Sequence, residues 1–213
     1  MKTMIHNLVQ NNFTLVSKTM KTISLIMITL FTLSCSKDDD PAPTPVEPVL
    51  APLQDPLPGY LTASGFTQET TIVIDNPDTY ELGYSFVPYV NGKITAIVVK
   101  LPDVKNNMRV TIWDKTTATV IRTERIDIAT ANTEVIKLIA PLDLVKEKEY
   151  LISMSSNDYY VRFKTDGSPG VYPFIIGDIE ITSHSLNVGT AQTMPATLYP
   201  IGYAGDCSFK FQK

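Results

Sequence analysis

The chain has 213 residues, 44% of them hydrophobic, with 18 basic and 22 acidic residues and a formal net charge of −4. Residues 1–34 contain three lysines and no acidic residue, so the rest of the chain carries 15 basic and 22 acidic residues. Phosphate binding needs clustered lysine and arginine, and no basic tract is present, which argues against nucleic acid as a partner.

The first patterned segment is an export signal. Residues 23–34 form an apolar run that follows Lys21, and this run is shorter than the roughly 20 residues of a membrane-spanning helix. A basic start, a short apolar core and small residues before Cys35 predict a secretory signal peptide over residues 1–34. A chain that starts at Met20 still contains a complete signal, so residues 1–19 are not assigned to the fold.

The residues before Cys35 identify the kind of signal. Thr32, Leu33, Ser34 and Cys35 resemble the lipobox of bacterial lipoproteins, although Thr32 replaces the leucine that this family usually carries there. The resemblance implies cleavage before Cys35 and acylation of its thiol. Each buried CH₂ contributes about 0.8 kcal/mol, so two or three acyl chains form a permanent membrane anchor. The alternative is an ordinary cleaved signal with a chance cysteine.

A charged run follows the predicted lipidation site. Lys37, Asp38, Asp39 and Asp40 resemble the export signal of surface lipoproteins in Bacteroidota. This resemblance implies a location at the outer membrane with the protein exposed on the cell surface. The alternative is a solvated charge run without a role in targeting.

Residues 35–59 then predict a lipidated cysteine followed by a disordered linker. Residues 36–59 contain seven of the 15 prolines. Proline-rich linkers extend by about 3.1 Å per residue, so this segment is expected to hold a domain away from the membrane.

The remaining residues, 60–213, predict one domain without helices. Residues 94–101 form a nearly continuous apolar run, as in a central strand, and Asp114 begins a turn that leads to a strand over residues 119–128. About eight to ten short strands without crossover helices predict an all-β fold, an antiparallel two-sheet β-sandwich of the jelly-roll kind.

Several segments of this domain also resemble a known family. They are residues 83–86, 92–96, 110–114, 141–144 and 150–153. Together they resemble a family of uncharacterised β-sandwich domains found in Bacteroidota surface lipoproteins. Such domains resemble carbohydrate-binding modules in architecture, but a shared fold does not assign a function.

Aromatic residues in turn-rich segments are the candidate ligand-binding residues. The tyrosine side chain offers both a stacking surface and a hydroxyl, which suits the apolar faces and hydroxyl groups of sugars. Alternation in residues 159–164 predicts that the side chains of residues 160, 162 and 164 point outward. The predicted ligand-binding residues are Tyr160, Arg162, Tyr172, Tyr199 and Tyr203. The alternative for each tyrosine is a packing role at a sandwich corner.

No residue pattern indicates catalysis, and the chain is predicted not to be an enzyme. His184 is the only histidine after the signal and is expected at the surface, at the end of a strand. A two-carboxylate glycosidase remains open, although nothing in the sequence pairs two carboxylates. Trp113 is expected in the core, and Cys207 is expected to be a buried, unreactive thiol.

No cofactor is predicted, and calcium is the one metal considered. Asn157, Asp158 and Asp166 supply oxygen atoms in loops. Calcium needs six to eight oxygen ligands, and turn formation also explains these residues.

The sequence therefore predicts a lipid-anchored surface protein with a non-catalytic binding module, and polysaccharide is the first expected ligand. The alternative is a structural or assembly subunit of a surface complex or an adhesin. Exposed aromatic residues at one concave end favour a glycan, whereas a flat apolar patch or a long open strand edge favours a protein partner.

Overall fold

The computed structural model describes residues 51–74 and 79–213. Cys35, the predicted signal peptide and most of the predicted linker lie outside the described residues. In the described part of the chain, no helix has both the length and the apolar character that crossing a membrane requires.

The folded unit starts earlier than the predicted boundary at residue 60. Gln54 forms an isolated antiparallel bridge with Phe211, with N···O distances of 2.8 Å in both directions. Helix α1 (Pro56–Ser64) follows, and its Leu57 side chain is buried. The last part of the predicted linker therefore belongs to the domain.

Helix α1 was not predicted, although its boundaries follow known rules. Asp55 is the N-cap and accepts a hydrogen bond from the backbone N–H of Leu57 at 3.3 Å. Pro56 occupies the first helical position, where its missing N–H costs nothing. Gly65 ends the helix with φ of 77°, a left-handed conformation that favours glycine.

Within residues 51–74 and 79–213 the chain also forms thirteen strands. They are β1 (Phe66–Val73), β2 (Tyr80–Pro88), β3 (Gly92–Lys100), β4 (Lys105–Asp114), β5 (Thr119–Ile128), β6 (Glu134–Leu144), β7 (Tyr150–Ser156), β8 (Asp158–Lys164), β9 (Phe174–Ile176), β10 (Ile179–Val188), β11 (Thr197–Leu198), β12 (Tyr203–Ala204) and β13 (Asp206–Gln212).

All pairs among these thirteen described strands are antiparallel, and the strands form three sheets. The large sheet has the order β11-β10-β2-β7-β4-β5, with β9 also paired to β10. The two smaller sheets have the orders β13-β3-β6 and β1-β8-β12. The three sheets pack as a sandwich-like all-β fold, which confirms the predicted antiparallel all-β class, with three sheets where the sequence predicted two.

The core lies between the sheets and contains the apolar positions that alternation predicts. Strand β3 is the central strand of its sheet, and most of its side chains are buried. Trp113 and Cys207 are both buried, as expected, and burial raises the pKa of the Cys207 thiol. Strand β5 has the predicted bounds, because Asp114 accepts hydrogen bonds from the N–H groups of Thr116 and Thr117 and so fixes the preceding turn.

Candidate binding site

A groove between α1 and the sheet β13-β3-β6 is the candidate site. It has a volume of about 190 Å³. We call it the α1 groove. Its lining residues are Asp55, Leu57, Pro58, Leu61, Val98, Lys100, Glu134, Arg162, Asp206 and Ser208.

One wall of the α1 groove is apolar. Leu57, Pro58 and Leu61 come from α1, and Val98 comes from the middle of β3. Val98 lies beside Ser208 of β13 and Ile136 of β6 in the strand register. Because directly opposed residues share a face, the groove lies on the outer face of this sheet.

A row of charged residues crosses the same face. In the register of the sheet, Asp206 lies opposite Lys100, and Lys100 lies opposite Glu134. Lys100 Nζ is 4.7 Å from the centre of the Tyr160 ring, which is a cation–π contact. The groove therefore combines a negative–positive–negative row with an aliphatic wall.

Arg162 connects this row to the sheet β1-β8-β12. Its guanidinium group forms a fork with the carboxylate of Asp206, with one N···O distance of 2.7 Å, and it also donates to Glu69. Burial raises the pKa of Asp206, and the bonds from Arg162 oppose that rise. The fork holds both side chains in one geometry and leaves further lone pairs on Asp206 as acceptors.

Asp55 is held at the other end of the groove. Its carboxylate accepts hydrogen bonds from Ser208 Oγ at 2.5 Å and Lys210 Nζ at 3.0 Å, besides its capping bond. Asp55 thus fixes the first turn of α1 to strand β13.

Two of the predicted ligand-binding residues lie near the α1 groove, but their predicted exposure is wrong. Tyr160 is 3% exposed and Arg162 is 9% exposed. The alternation of β8 is as predicted, since Tyr159 and Val161 face the core. The opposite face is covered as well, because Lys100, Asn132 and Asp206 pack on it.

The other three tyrosines do come together, but Tyr203 lies in the core, and Tyr172 and Tyr199 are half-buried against it. Tyr203 is 1% exposed, and its ring centre is 5.9 Å from that of Tyr60. Tyr172 packs on Tyr60 at 5.5 Å, and Tyr199 lies beside the ring of His184 at 5.9 Å. The unpredicted helix α1 carries Tyr60 and covers this end, so the expected exposed aromatic cluster is not formed by these residues.

His184 is also not where the sequence predicted it. It lies within β10, is 1% exposed, and its Nε2 is 2.9 Å from the carbonyl oxygen of Ala204. A β-bulge between Ile181 and Ser183 shifts the alternation of β10. Because a bulge moves the following side chains to the other face, His184 faces the core instead of the surface.

A second polar cluster, on the large sheet, was not predicted. Glu81 is 1% exposed, accepts a hydrogen bond from Arg109 Nε at 3.1 Å, and accepts another from Ser153 Oγ at 3.0 Å. Trp113 Nε1 donates to Ser153 Oγ at 3.0 Å. Gln192 lies across the same face and donates to two threonines of β4 and β5. In the sequence, the one indication of this cluster is Glu81, a charged residue inside the apolar run of β2.

Two of the three residues considered for calcium, Asn157 and Asp166, have other contacts. Asp166 Oδ1 accepts hydrogen bonds from the N–H and the hydroxyl of Ser168, as in a turn. Asn157 Oδ1 accepts a hydrogen bond from Lys105. Among the described residues, no three His, Cys, Asp or Glu side chains are grouped to hold a metal ion.

A wider depression of about 610 Å³ lies elsewhere, and Lys93 and Asp143 are among the residues that line it. These two side chains form an ion pair at 3.7 Å and are 58% and 82% exposed. The α1 groove is the stronger candidate, because it holds charged groups that are largely removed from solvent.

Comparison with models of known protein families finds no match to this chain, and comparison with curated proteins finds no similar sequence. The resemblance to surface lipoproteins stays a prediction.

Proposed function

We propose that this chain is a lipid-anchored cell-surface protein whose sandwich is a non-catalytic binding module, and that the α1 groove takes a glycan. The observation that carries this proposal is the pairing of an aliphatic wall with a charged row in one groove. A sugar ring has an apolar C–H face and a rim of hydroxyl groups, so both halves of the groove have a partner on the ligand.

The charged row supplies the polar half. Asp206 and Glu134 can accept hydrogen bonds from sugar hydroxyl groups, and Lys100 can donate to their oxygen atoms. Hydrogen bonds with a charged partner are about twice as strong as neutral ones. Arg162 holds Asp206 in place, so this acceptor needs little reordering when a ligand binds.

The size of the groove limits the ligand. Sites for drug-sized ligands have volumes of roughly 300–1,000 Å³, whereas the α1 groove has about 190 Å³. This volume favours a single sugar ring, such as the terminal unit of a chain, over an extended oligosaccharide.

The hydrogen bonding of two groove carboxylates, Asp206 and Asp55, favours binding over hydrolysis. Glycosidases need one carboxylic acid that keeps its proton to donate to the leaving group. Asp206 instead accepts two bonds from Arg162, and Asp55 accepts bonds from Ser208 and Lys210. Both groups are therefore oriented as acceptors.

The test is binding by the full-length protein in detergent on a glycan array, followed by titration with the sugar that binds. Lys100→Met and Glu134→Gln are each expected to weaken affinity about tenfold or more, which corresponds to about 1.4 kcal/mol. Lys93→Met is the matched control, because Lys93 lies outside the α1 groove in an exposed ion pair. Failure to bind any sugar, or equal affinity in wild type and both groove variants, would refute the proposal.

A second function, assembly with another protein, is favoured by one observation. Ile136 and Leu138 on the outer face of β6 are 50% and 80% exposed, and Ile136 lies opposite Val98 of the α1 groove. Side chains cover part of the open edges of β5 and β6, since Lys137 Nζ donates to the Arg125 carbonyl at 2.8 Å and Arg122 donates to the Ala140 carbonyl at 3.4 Å. Contact would therefore be through side chains and not by strand addition.

Sedimentation of the full-length protein in detergent tests assembly between copies of this chain. A dimer that Leu138→Glu dissociates would favour assembly through this face. Val104→Glu is the control, since Val104 is also exposed, at 58%, but lies in the loop between β3 and β4 and not on β6. A monomer in wild type, together with sugar binding, would favour the glycan function.

A further inference from the structure

The amine of Lys105 lies against the side-chain amide of Asn157. Lys105 begins β4, and Asn157 lies in the turn between β7 and β8, 52 residues later. Nζ is 2.6 Å from Oδ1 of Asn157 and 3.3 Å from Oγ of Ser156. Strands β4 and β7 are hydrogen-bonded neighbours, so the sheet itself brings the two groups together.

This contact places an amine next to an acyl carbon. With a C=O bond of about 1.23 Å, the Asn157 Cγ atom lies no more than about 3.8 Å from Nζ. Reacting atoms in a near-attack geometry are about 3–3.5 Å apart. Asn157 Nδ2 donates a hydrogen bond to the carbonyl oxygen of Ile74 at 3.3 Å, so the amide is fixed between the start of β4 and the residue that follows β1.

The next residue in the chain, Asp158, supplies a carboxylate, which makes no direct ion pair with Lys105 but whose charge acts on the amine. Asp158 Oδ1 is buried and has no hydrogen-bond partner among the described residues. A buried polar atom without a partner needs an explanation, and proton transfer is one. Burial lowers the pKa of Lys105, and the charge of Asp158 opposes this lowering. Burial thus favours the neutral amine, which is the nucleophilic form.

From this arrangement we infer that Lys105 and Asn157 join in an intramolecular amide cross-link, with Asp158 as the proton-transfer group. Lys105 gives a proton to Asp158 through one bridging water, and the neutral amine adds to Cγ of Asn157 to form the Nζ–Cγ bond. Asp158 returns the proton to Nδ2, the Cγ–Nδ2 bond breaks, and the nitrogen leaves as ammonia. The released ammonia takes up the second proton that Nζ loses, so the products are one secondary amide and one ammonium ion. No oxidant or reductant is needed.

The cross-link would connect the start of β4 to the β7–β8 turn by a covalent bond. It is independent of the proposed function, because none of its three residues lines the α1 groove. Its chemistry needs no ligand or partner protein.

Peptide mass spectrometry of the full-length wild-type protein tests the inference. Trypsin cannot cleave after an acylated Lys105, so residues 101–109 should be recovered joined to residues 149–162, lighter by one ammonia than the two peptides together. Recovery of the unlinked peptides 101–105 and 149–162, with no joined species, overturns the inference and does not depend on how any variant folds.

Variants test which side chains form the cross-link and which one transfers the proton. Lys105→Arg keeps a donor for Asn157 but must abolish the joined peptide, whereas the control Lys115→Arg must retain it. Asn157→Asp should give the same product with loss of water in place of ammonia. Asp158→Asn should reduce formation at least tenfold, and an unchanged yield in that variant would overturn the role of Asp158.

Discussion

His184 is an ionisable side chain enclosed by aromatic rings. The ring centres of His184 and Tyr203 are 4.7 Å apart, and the backbone of Ala204 contacts Nε2. Burial disfavours the charged imidazolium and lowers the pKa of His184 from 6.5 to about 4. The core is therefore built around a neutral imidazole.

This burial makes folding stability depend on pH. In the unfolded chain His184 takes up a proton near pH 6.5, whereas the folded protein resists protonation down to about pH 4. The unfolded state binds more protons in this window, so stability is complete above pH 6.5 and falls as the pH decreases. Between pH 7 and pH 5 the loss from this group should be about 2 kcal/mol.

Urea denaturation of wild type and His184→Gln at both pH values measures this loss. The glutamine amide can still donate to the Ala204 carbonyl but does not titrate. Carboxylates with shifted pKa values, such as Asp206 and Glu81, contribute equally to both proteins and cancel in the comparison. Parallel pH dependences in the two proteins would show that His184 is not buried in its neutral form.

At the scale of single residues, the sequence identified side-chain alternation but not exposure. Tyr160 and Arg162 alternate with Tyr159 and Val161 as predicted. Exposure depends on what packs against the second face, and that depends on Lys100 and Asp206, which come from distant strands. A single strand pattern contains no information about those contacts, so the α1 groove itself could not be predicted.

At the scale of elements, Gly83 and Gly92 begin two of the segments that resemble the β-sandwich family. Each lies where a neighbouring backbone or ring comes very close. A Cβ added to Gly83 would contact the carbonyl oxygen of Ile152 and lie 2.8 Å from the Cα of Ser153. A Cβ added to Gly92 would meet the ring of Phe211 and lie 2.7 Å from the carbonyl oxygen of Gln212. These positions need glycine for space, not for a left-handed conformation.

Gly83→Ala should therefore destabilise the β2–β7 pair, because the opposing atoms belong to backbone that cannot move aside. Overpacking of this kind typically costs about 1–3 kcal/mol. Gly59→Ala in α1 is the matched control, since its nearest neighbour is the flexible side chain of Ile176 at 3.0 Å and alanine favours the helix. Chemical denaturation should show a large loss for Gly83→Ala and a change within about 1 kcal/mol for Gly59→Ala. Similar losses in both would contradict this account.

Prediction of elements succeeded where local chemistry decides the structure. The bounds of β5 follow from the turn that Asp114 caps, and β3 follows from its apolar run. Helix α1 had a capping aspartate, a proline at its first position and a glycine at its end, but these signals lay in a proline-rich segment that reads as a linker. The helix has only nine residues, which is too short for a helical repeat of apolar residues to be recognised. The proline-rich composition, which indicates a linker, therefore decided the prediction.

At the scale of the whole molecule, membrane attachment through Cys35 can be tested because the other cysteine, Cys207, is buried. Cys207 is buried beside Phe209 and Phe211 on the inner face of β13, and burial raises the pKa of its thiol. Thiolate is the reactive form, so Cys207 should be inert in the folded protein. Any acyl chain found on the protein should then be on Cys35.

Cys35→Ser should abolish labelling with radioactive palmitate and release the protein from the membrane fraction. The acyl chains contribute about 0.8 kcal/mol for each buried CH₂, and a hydroxyl at this position cannot carry the thioether-linked lipid. Cys207→Ser is the control and should keep both the label and membrane pelleting, because its thiol lies in the core. Label and pelleting that persist in Cys35→Ser would rule out a lipid anchor at this residue.

Replacing Asp38, Asp39 and Asp40 by alanine should keep the label but protect the domain from protease added to intact cells, since these residues are the predicted surface-export signal. Protease sensitivity that is unchanged in the alanine variant would show that the acidic run has no role in export.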